Sequence, residues 1–272
     1  MPKEDWIDVA SQNDDRGIPI SKVGVKDIRY PITVLDRDHG KQHTIGTLNM
    51  YVDLPHDFKG THMSRFIELL DEYHGEVSVS NFMNILSNIR TRLQAASAHL
   101  EVQFPYFMMK TAPVSGAKGM MEYRCGMTGS LNGGEMDLMV EVAVPVNTLC
   151  PCSKAISDRG AHNQRGEIRI AFRSVDFIWI EDIIKIAEKS ASCDVYSILK
   201  REDEKYVTEK AFDNPVFVED VVRNVAGKLE SIKQILWYSV DVENFESIHN
   251  HSAYARVERK VGTEKASSSD HA

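Results

Sequence analysis

The order of predicted elements repeats along the chain, and this repetition constrains the fold more than any other feature. In the first half, alternating apolar residues over 44–54 predict a strand. Helical spacing follows over 63–73 and over 79–100, where Phe82, Ile85 and Ile89 share a face. Three strand-like segments complete this half, over residues 101–112, 119–129 and 136–146.

The second half shows the same order of elements. Residues 165–173 predict a strand, and residues 180–191 and 216–232 predict helices, the second clearly amphipathic. Strands over 237–242 and 253–257 close the pattern. Each half therefore consists of strands, two helices and further strands, which is a repeat of element order and not of sequence.

Composition sets the broad class of the protein. The chain has 272 residues, 42% of them hydrophobic and 26% charged, as expected for a soluble globular protein that needs no disulfides. A net charge of -8 argues against broad nucleic-acid binding. The sequence has no apolar signal-peptide core and no run of 18 apolar residues, so we expect a cytoplasmic protein without a membrane span.

The two ends are expected to lie outside the regular elements. Residues 1–30 carry turn signals at Asn13–Asp15 and Gly17–Pro19, which predict an ordered but irregular lead-in. Residues 259–272 are mostly small and polar, which predicts a disordered tail.

The strongest chemical signal is the segment Thr148–Lys154, which contains Cys150 and Cys152 and precedes His162. Thiolate and imidazole are common ligands of zinc and similar divalent ions. The spacing is not that of a zinc finger, so a catalytic metal with an open coordination position fits better. The alternative is that these cysteines are small buried apolar residues, and spacing alone leaves both interpretations open.

Acidic residues and histidines form a second group of candidates. His249 and His251 share a face if their segment is a strand, and Glu246 lies nearby, which suits proton transfer or metal binding as well as a polar surface strand. Glu204 lies in a charge-rich segment that resembles a solvated turn. Glu219 lies at the edge of an apolar helical stripe, where a carboxylate faces either solvent or a ligand.

Basic residues near these segments are candidates for binding phosphates. Lys154 and Arg165 accompany the cysteine segment, and Arg65 follows His62 in the first half. For any single one of them, an ordinary surface charge is the default interpretation. The sequence contains neither a P-loop motif nor a dinucleotide-binding glycine motif after a strand.

Several longer strings point to a known family. TLCPCSKAIS with GAHNQR, RGIPISKVGVKDIRYPI, GTHMSRF, NPVFVED and ESIHNHSAYA together resemble the type IB GTP cyclohydrolase I family over about residues 8–257. The resemblance implies an α+β tunnelling fold (T-fold) with two tandem modules of antiparallel sheet and helices layered on one side. The two-half pattern is compatible with modules over residues 31–147 and 148–258, the second carrying most of the metal and catalytic site.

The resemblance also implies an activity and an assembly. Members convert GTP and water to 7,8-dihydroneopterin triphosphate and formate, the first step of folate synthesis, through attack of metal-activated water on guanine C8. They are homotetramers with active sites at subunit interfaces. One divalent ion, zinc, manganese or ferrous iron, would be the cofactor, and no organic cofactor is implied.

Site residues follow from the matched motifs. The metal would be held by Cys150, His162 and Glu204, and Ser153 stands where a type IA enzyme would have a metal-binding histidine. Glu219 would anchor guanine. His249 and His251 would transfer protons with support from Glu246, and Cys150 counts among the catalytic residues. Further substrate contacts are expected from Lys154, Arg165, His62 and Arg65.

Two alternatives compete with this hypothesis. One is another purine- or pterin-binding T-fold enzyme, such as an NADPH-dependent nitrile reductase in which Cys150 would act as a nucleophile. The other is a non-enzymatic protein with a structural metal, in which Cys152 would supply a fourth ligand. Dependence on a metal or on NADPH separates the first alternative from the cyclohydrolase.

Overall fold

A computed structural model describes residues 8–73, 76 and 78–261 of the chain. Within these residues the chain forms nine strands and six helices. The strands are β1 Ile20–Asp36, β2 Gly40–Leu54, β3 Ser97–Thr111, β4 Lys118–Asn132, β5 Glu135–Leu149, β6 Asn163–Ser174, β7 Cys193–Asp194, β8 Ile235–Asn244 and β9 Ala253–Lys260. The helices are α1 Ser64–Glu72, α2 Val79–Arg92, α3 Pro151–Ile156, α4 Ile180–Glu188, α5 Arg201–Asp213 and α6 Val218–Glu230.

Strand pairing is antiparallel between β1 and β2, β2 and β3, β5 and β6, β5 and β7, β6 and β8, and β8 and β9. The hydrogen-bonded order is β1-β2-β3-β4-β5-β6-β8-β9, and the short β7 pairs with β5. Strands that follow one another in the chain are therefore usually neighbours in the sheet, as expected for antiparallel connections. This agrees with the predicted α+β class.

The first compact unit ends at Phe104 and also includes Gly126–Leu138. Its sheet alternates buried and more exposed residues, so that Leu48, Met50 and Val52 of β2 share one buried face. The apolar faces of α1 and α2 are buried as well, through residues such as Phe66 and Phe82. A helix layer on one face of the sheet accounts for this pattern.

The second compact unit comprises Pro105–Cys125 and the chain from Met139 onward. Alternate residues of its strands are fully buried, among them Val144, Ile168 and Val240. Helix α6 lies against β8 and β9 and buries Val221, Val225 and Leu229. Burial of these branched apolar side chains supplies the main stabilisation of the unit.

Residues 20–30 belong to β1, so the prediction of an irregular lead-in over residues 1–30 is wrong for that stretch. The ladder with β2 shifts register twice, between Ile20 and Val23 and between Val25 and Ile28. Asp27 at the second shift adopts a φ of 57°. Such bulges break the two-residue alternation by which a strand is recognised in sequence. Residues 1–7 lie outside the described part of the chain.

Two further boundaries differ from prediction. The helix expected over 79–100 ends at Arg92, because Gln94 adopts a left-handed conformation with a φ of 55° and β3 begins at Ser97. Strand β9 extends to Lys260, where Arg259 and Lys260 pair with Tyr238 and Trp237. The predicted disordered tail over 259–272 is therefore wrong for its first two residues, and residues 262–272 lie outside the described residues.

The compact units are not contiguous in sequence, because β3, β4 and β5 each contribute residues to both. The predicted modules over 31–147 and 148–258 therefore do not coincide with the compact units and stay a prediction. None of the helices in the described ranges is both long and apolar enough to cross a membrane.

Candidate active site

Cys150 lies where β5 ends and α3 begins. It is the N-cap residue of this short helix, and its Sγ accepts a hydrogen bond from the backbone N–H of Ser153 at 3.4 Å. Pro151 occupies the first helical position, where its missing N–H costs nothing. The Cys150 side chain is partly exposed, and Cys152 on the helix is exposed. Cys150 and Cys152 therefore differ from Cys125 and Cys193, which are buried.

His162 is held next to Cys150 by a backbone hydrogen bond, from the Cys150 N–H to the His162 carbonyl at 3.1 Å. Its ring Nδ1 lies 2.9 Å from Oε1 of Gln164, and the Gln164 amide donates to Thr148 Oγ1 at 3.1 Å. Because the Gln164 oxygen is an acceptor, this contact favours the tautomer in which Nδ1 donates and Nε2 keeps a lone pair. This orientation suits a metal-binding histidine.

Glu246 also approaches His162, with 3.7 Å between its Oε2 and Nδ1. The sequence associated Glu246 with His249 and His251, and the structure adds this contact with the earlier histidine. Glu246 lies in the segment that follows β8, and the pairing of β6 with β8 brings that segment to the start of β6. Gln164 and Glu246 thus both act on one ring nitrogen.

His249 and His251 lie in the irregular segment between β8 and β9 and not in a strand. Their rings stack nevertheless, with centroids 5.0 Å apart and planes 15° from parallel. Both residues are exposed and accessible to a ligand. The segment contains the sequence Ser247-Ile-His-Asn-His251, whose alternation suggested a strand.

Glu204 lies in the first turn of α5, so the prediction of a charge-rich turn is wrong. Helix α5 packs through Val207 and Ala211 on a small cluster with Leu149 and Ala161, the residues immediately before Cys150 and His162. Glu204 precedes Val207 by three residues, which is nearly one helical turn. Three chain segments carrying Cys150, His162 and Glu204 therefore converge, with Glu204 exposed.

The donor set of these three residues fits a divalent metal ion chemically. A thiolate, an imidazole and a carboxylate suit zinc, manganese and ferrous iron. The described part of the chain contains no group of three or more His, Cys, Asp and Glu side chains already arranged to hold a metal. The structure thus brings the ligand-bearing segments together without forming a closed ligand cluster.

Glu219 lies in the first turn of α6 and is exposed. Its neighbour Asp220 caps the helix by accepting the backbone N–H of Phe217 at 3.0 Å. The cap leaves the Glu219 carboxylate available at the end of the helix, where an anionic side chain is favoured.

The basic candidates differ in availability. Lys154 donates to the backbone oxygen of Phe212, and its ammonium lies 4.3 Å from the centre of the Phe212 ring. Arg165 is exposed on β6, opposite Asn147 of β5. In the first unit, His62 Nε2 lies 3.1 Å from Asp8 and Arg65 donates to the Arg92 carbonyl at 3.4 Å. His62 and Arg65 line a common small cavity there.

An open cavity of about 300 Å³ lies in the second unit between the start of β6, β7 and α5. Gln164, Arg165, Asp194, Tyr196 and Thr208 are among its lining residues. Since Gln164 also contacts His162, the cavity adjoins the segment of the candidate metal ligands. Thr208 lies one turn after Glu204 on α5.

Sequence reasoning missed the side chains that hold the candidate ligands, namely Gln164, Thr148 and Asp203. Asp203 is fully buried beside Glu204. Burial alone would raise its pKa, but hydrogen bonds from the Ser115 hydroxyl and from three backbone N–H groups outweigh burial and hold the pKa well below its ordinary value. Gln164 was part of the quoted GAHNQR string, and only its position on β6 opposite Thr148 reveals its contact.

Comparison with known proteins places this chain in a family. A family model described as type I GTP cyclohydrolase folE2 matches residues 6–255. The chain is 59% identical over 254 residues to the GTP cyclohydrolase FolE2 of Syntrophobacter fumaroxidans, covering 93% of this chain and 99% of that one. It is 54% identical over 253 residues to that of Nitrosococcus oceani, covering 93% and 95%.

Solved structures show the same fold at low identity. A highly active mutant of Bacillus sp. TB-90 urate oxidase aligns with a TM-score of 0.53 at 8% identity, covering 89% of this chain and 100% of that chain. The uricase from Arthrobacter globiformis aligns with a TM-score of 0.50 at 8% identity, covering 92% and 96%. This likeness confirms the predicted tunnelling fold.

The match extends over nearly the whole chain, and the relatives are covered almost completely. The matched description names type I and FolE2, so the finer type IB label stays a prediction. The chain belongs to the type I GTP cyclohydrolase FolE2 family.

Proposed function

We propose that the protein is a GTP cyclohydrolase that converts GTP and water to 7,8-dihydroneopterin triphosphate and formate. The observation that carries this proposal is the full-length similarity to FolE2 GTP cyclohydrolases. The arrangement of Cys150 and His162, joined through their backbones and with His162 Nε2 available, is the local feature that supports it best.

Cys150, His162 and Glu204 would hold one divalent ion, with zinc, manganese and ferrous iron as candidates. When bound, such an ion lowers the pKa of a coordinated water to about 7 and so supplies hydroxide at neutral pH. Gln164 and Glu246 would keep Nδ1 of His162 protonated and direct Nε2 toward the ion. No organic cofactor is part of the proposal.

Glu219 would recognise guanine. A carboxylate accepts two parallel hydrogen bonds from the ring N–H and the amino group of guanine, and adenine lacks that pair of donors. The exposed position of Glu219 at the start of α6 leaves its oxygens free for such a contact. This contact would make the enzyme selective for GTP over ATP.

His249 and His251 would move protons during ring opening. An imidazole can both accept and donate a proton, and the stacked pair is exposed to an incoming substrate. His249 would protonate the purine nitrogen as hydroxide attacks C8, and His251 would serve in later steps of ribose opening and ring closure. The attack would form a C8–O bond, and collapse of the adduct would break the C8–N bond to the protonated nitrogen. A second water would then hydrolyse the resulting formamide to formate and an amine.

Basic side chains would bind the triphosphate. Arg165 is the best placed of them, because it is exposed and lines the cavity beside Gln164. The ammonium of Lys154 must leave the Phe212 carbonyl to reach a phosphate. His62 and Arg65 are further candidates in the first unit. The protein would act as a cytoplasmic homotetramer with active sites at subunit interfaces, and its product would enter folate synthesis.

The test is incubation of purified, metal-reconstituted protein with GTP, with and without a chelator. Formate is measured directly, and the pterin by its fluorescence after oxidation. Formate and a neopterin product that disappear with the chelator would support the proposal. If zinc, manganese and ferrous iron all fail to give formate, the cyclohydrolase is excluded, and a parallel reaction with NADPH tests the nitrile reductase.

A variant pair tests the guanine contact in the same assay. Glu219→Gln should lower kcat/KM for GTP by about 100-fold, since the charged acceptor is lost and the new side-chain amide group faces an N–H donor of guanine. Glu209→Gln is the matched control, because Glu209 is an exposed helical carboxylate that pairs only with Lys205 among the interactions described. Equal kcat/KM values for both variants would remove Glu219 from the guanine site.

A further inference from the structure

The segment that leads into α5 is fixed by the hairpin of β3 and β4. Residues 195–200 have no regular structure. Lys110 of β3 bonds to Asp194 at 3.3 Å, and its ammonium lies 4.5 Å from the Tyr196 ring centre. Gly119 of β4 lies so close to Ser197 that a Cβ at position 119 would be 2.3 Å from its Oγ. The hairpin therefore contacts this segment along its length.

Asp203 makes the last of these contacts. Its Oδ1 accepts the backbone N–H groups of Val114 at 2.8 Å and Ser115 at 2.9 Å, in the turn between β3 and β4. Its Oδ2 accepts the Ser115 hydroxyl at 2.5 Å and the Lys200 N–H at 2.8 Å. One fully buried carboxylate thus receives four donors from two chain segments.

A helix cap alone does not require this arrangement. The corresponding carboxylate of α6, Asp220, accepts the Phe217 N–H in the same way that Asp203 accepts the Lys200 N–H. In α2, Asn81 accepts the Ser78 N–H at 2.9 Å. Three of the four bonds of Asp203 go instead to the turn at 114–115, which is 88 or 89 residues away in sequence.

Glu204 immediately follows Asp203. The bonds of Asp203 fix the first turn of α5 on the hairpin, and Val207 and Ala211 fix the next turns on Leu149 and Ala161. We propose that Asp203 is a positioning residue for Glu204, through which the turn between β3 and β4 sets where the Glu204 carboxylate stands beside Cys150 and His162. This inference rests on the proposed role of Glu204 as a metal ligand.

The experiment measures equilibrium zinc and manganese affinities of the full-length apoprotein together with thermal unfolding. Asp203→Asn should weaken metal affinity by about 10- to 100-fold, the usual effect of losing a residue that supports a ligand. Ser115→Ala removes one donor and should act in the same direction with a smaller effect. The double variant should lose no more affinity than Asp203→Asn alone, because both changes act on one contact.

Asn81→Ala is the control, because it removes the cap of α2 without touching α5. It should lower the unfolding temperature while metal affinity stays at the wild-type value. Glu204→Gln should abolish tight metal binding. Ser115→Ala keeps the test decisive if Asp203→Asn does not fold.

Wild-type metal affinity in both Asp203→Asn and Ser115→Ala would reduce Asp203 to a helix cap and overturn the inference. Wild-type affinity in Glu204→Gln would also overturn it, because no ligand would remain to be positioned. Failure of the proposed function is a different result: the wild-type protein would bind metal and release no formate from GTP, while the effect of Asp203→Asn on metal affinity would still support its positioning role.

Discussion

The carboxylate of Glu246 lies 3.7 Å from Nδ1 of His162, and both side chains are about one-eighth exposed, at 12% and 13%. Gln164 approaches the same nitrogen at 2.9 Å. The Gln164 oxygen is within hydrogen-bond distance of Nδ1, and the Glu246 carboxylate adds a negative charge on the same side of the ring, so a proton is favoured on Nδ1 and Nε2 is left to bind a metal. We therefore expect substitution of Glu246 to affect metal binding as well as proton transfer.

Glu246→Ala should lower zinc affinity by about 10-fold or more, because the carboxylate that faces Nδ1 of His162 is lost. Glu246→Gln should have an intermediate effect, since it keeps the size of the side chain and removes its charge. Direct titration of the apoprotein measures both. Glu243→Gln is the control, since Glu243 is exposed on the preceding strand. A large loss of turnover with unchanged zinc affinity in Glu246→Ala would instead assign this carboxylate to the substrate.

Cys150→Ala should abolish metal retention and turnover, because the thiolate ligand is lost. Metal content after gel filtration and formate release measure the two effects. Cys125→Ala is the control: burial raises the pKa of the Cys125 thiol, so it stays protonated and should bind no metal. Normal metal content and rate in Cys150→Ala would show that the ion binds elsewhere.

Asp36 should make the fold acid-sensitive at the turn between β1 and β2. Burial alone would raise its pKa, but the N–H groups of His39 and Asp38 and the Gln42 side chain hold the pKa below its ordinary value. Because the folded-state pKa is lowered, the stabilisation is present above about pH 4 and is lost as the pH falls.

Asp36→Asn should accordingly cost about 1–3 kcal/mol of unfolding free energy at pH 7, and less as the pH approaches 3. Urea unfolding between pH 7 and pH 3 measures the difference. Both proteins should carry His39→Ala, because the His39 ring lies 3.2 Å from the carboxylate and would otherwise contribute to the measured difference. A difference that grows toward low pH would contradict the assignment.

Two glycine-to-alanine changes should have opposite signs. A Cβ at Gly24 of β1 would lie 1.9 Å from the Met50 carbonyl oxygen, so Gly24→Ala should destabilise by at least about 1–3 kcal/mol. A Cβ at Gly227 meets nothing within 4 Å, and Gly227→Ala in the exposed face of α6 should stabilise by about 0.5–1 kcal/mol. Urea unfolding tests both, and equal effects would refute the close approach at Gly24.

The elements that could be predicted from sequence are those with uninterrupted periodicity. Strand β2 and helix α6 each bury one face, and their apolar residues recur at regular spacing. Strand β1 was not predicted, because its bulges interrupt the alternation of buried and exposed residues. Helix α5 was not predicted either. Only Asp203 and Ala211 are buried among its residues, so its sequence has no apolar stripe. Tertiary contacts at Val114 and Ser115 support it instead.

The candidate site likewise contains residues that could be predicted from the sequence and residues that could not. Resemblance to a family provided Cys150, His162 and Glu219, which lie in recognisable strings. It also provided Glu204, which lies outside those strings. The residues that orient them are contacts between distant segments, such as the bond from Gln164 to Thr148 across two neighbouring strands. Local patterns do not encode such pairs, and only the folded chain reveals them.

The chain passes from one compact unit to the other three times, after Phe104, after Cys125 and after Leu138. Dividing the chain at any one position therefore cannot separate the two compact units from each other. A fragment that starts at residue 148 lacks Lys110, Val114 and Ser115, the residues that secure the entry to α5. Expression of half-length pieces, or exchange of modules between relatives at residue 148, would separate Asp203 from the turn at 114–115 that it binds. The chain must therefore be expressed or exchanged as a whole.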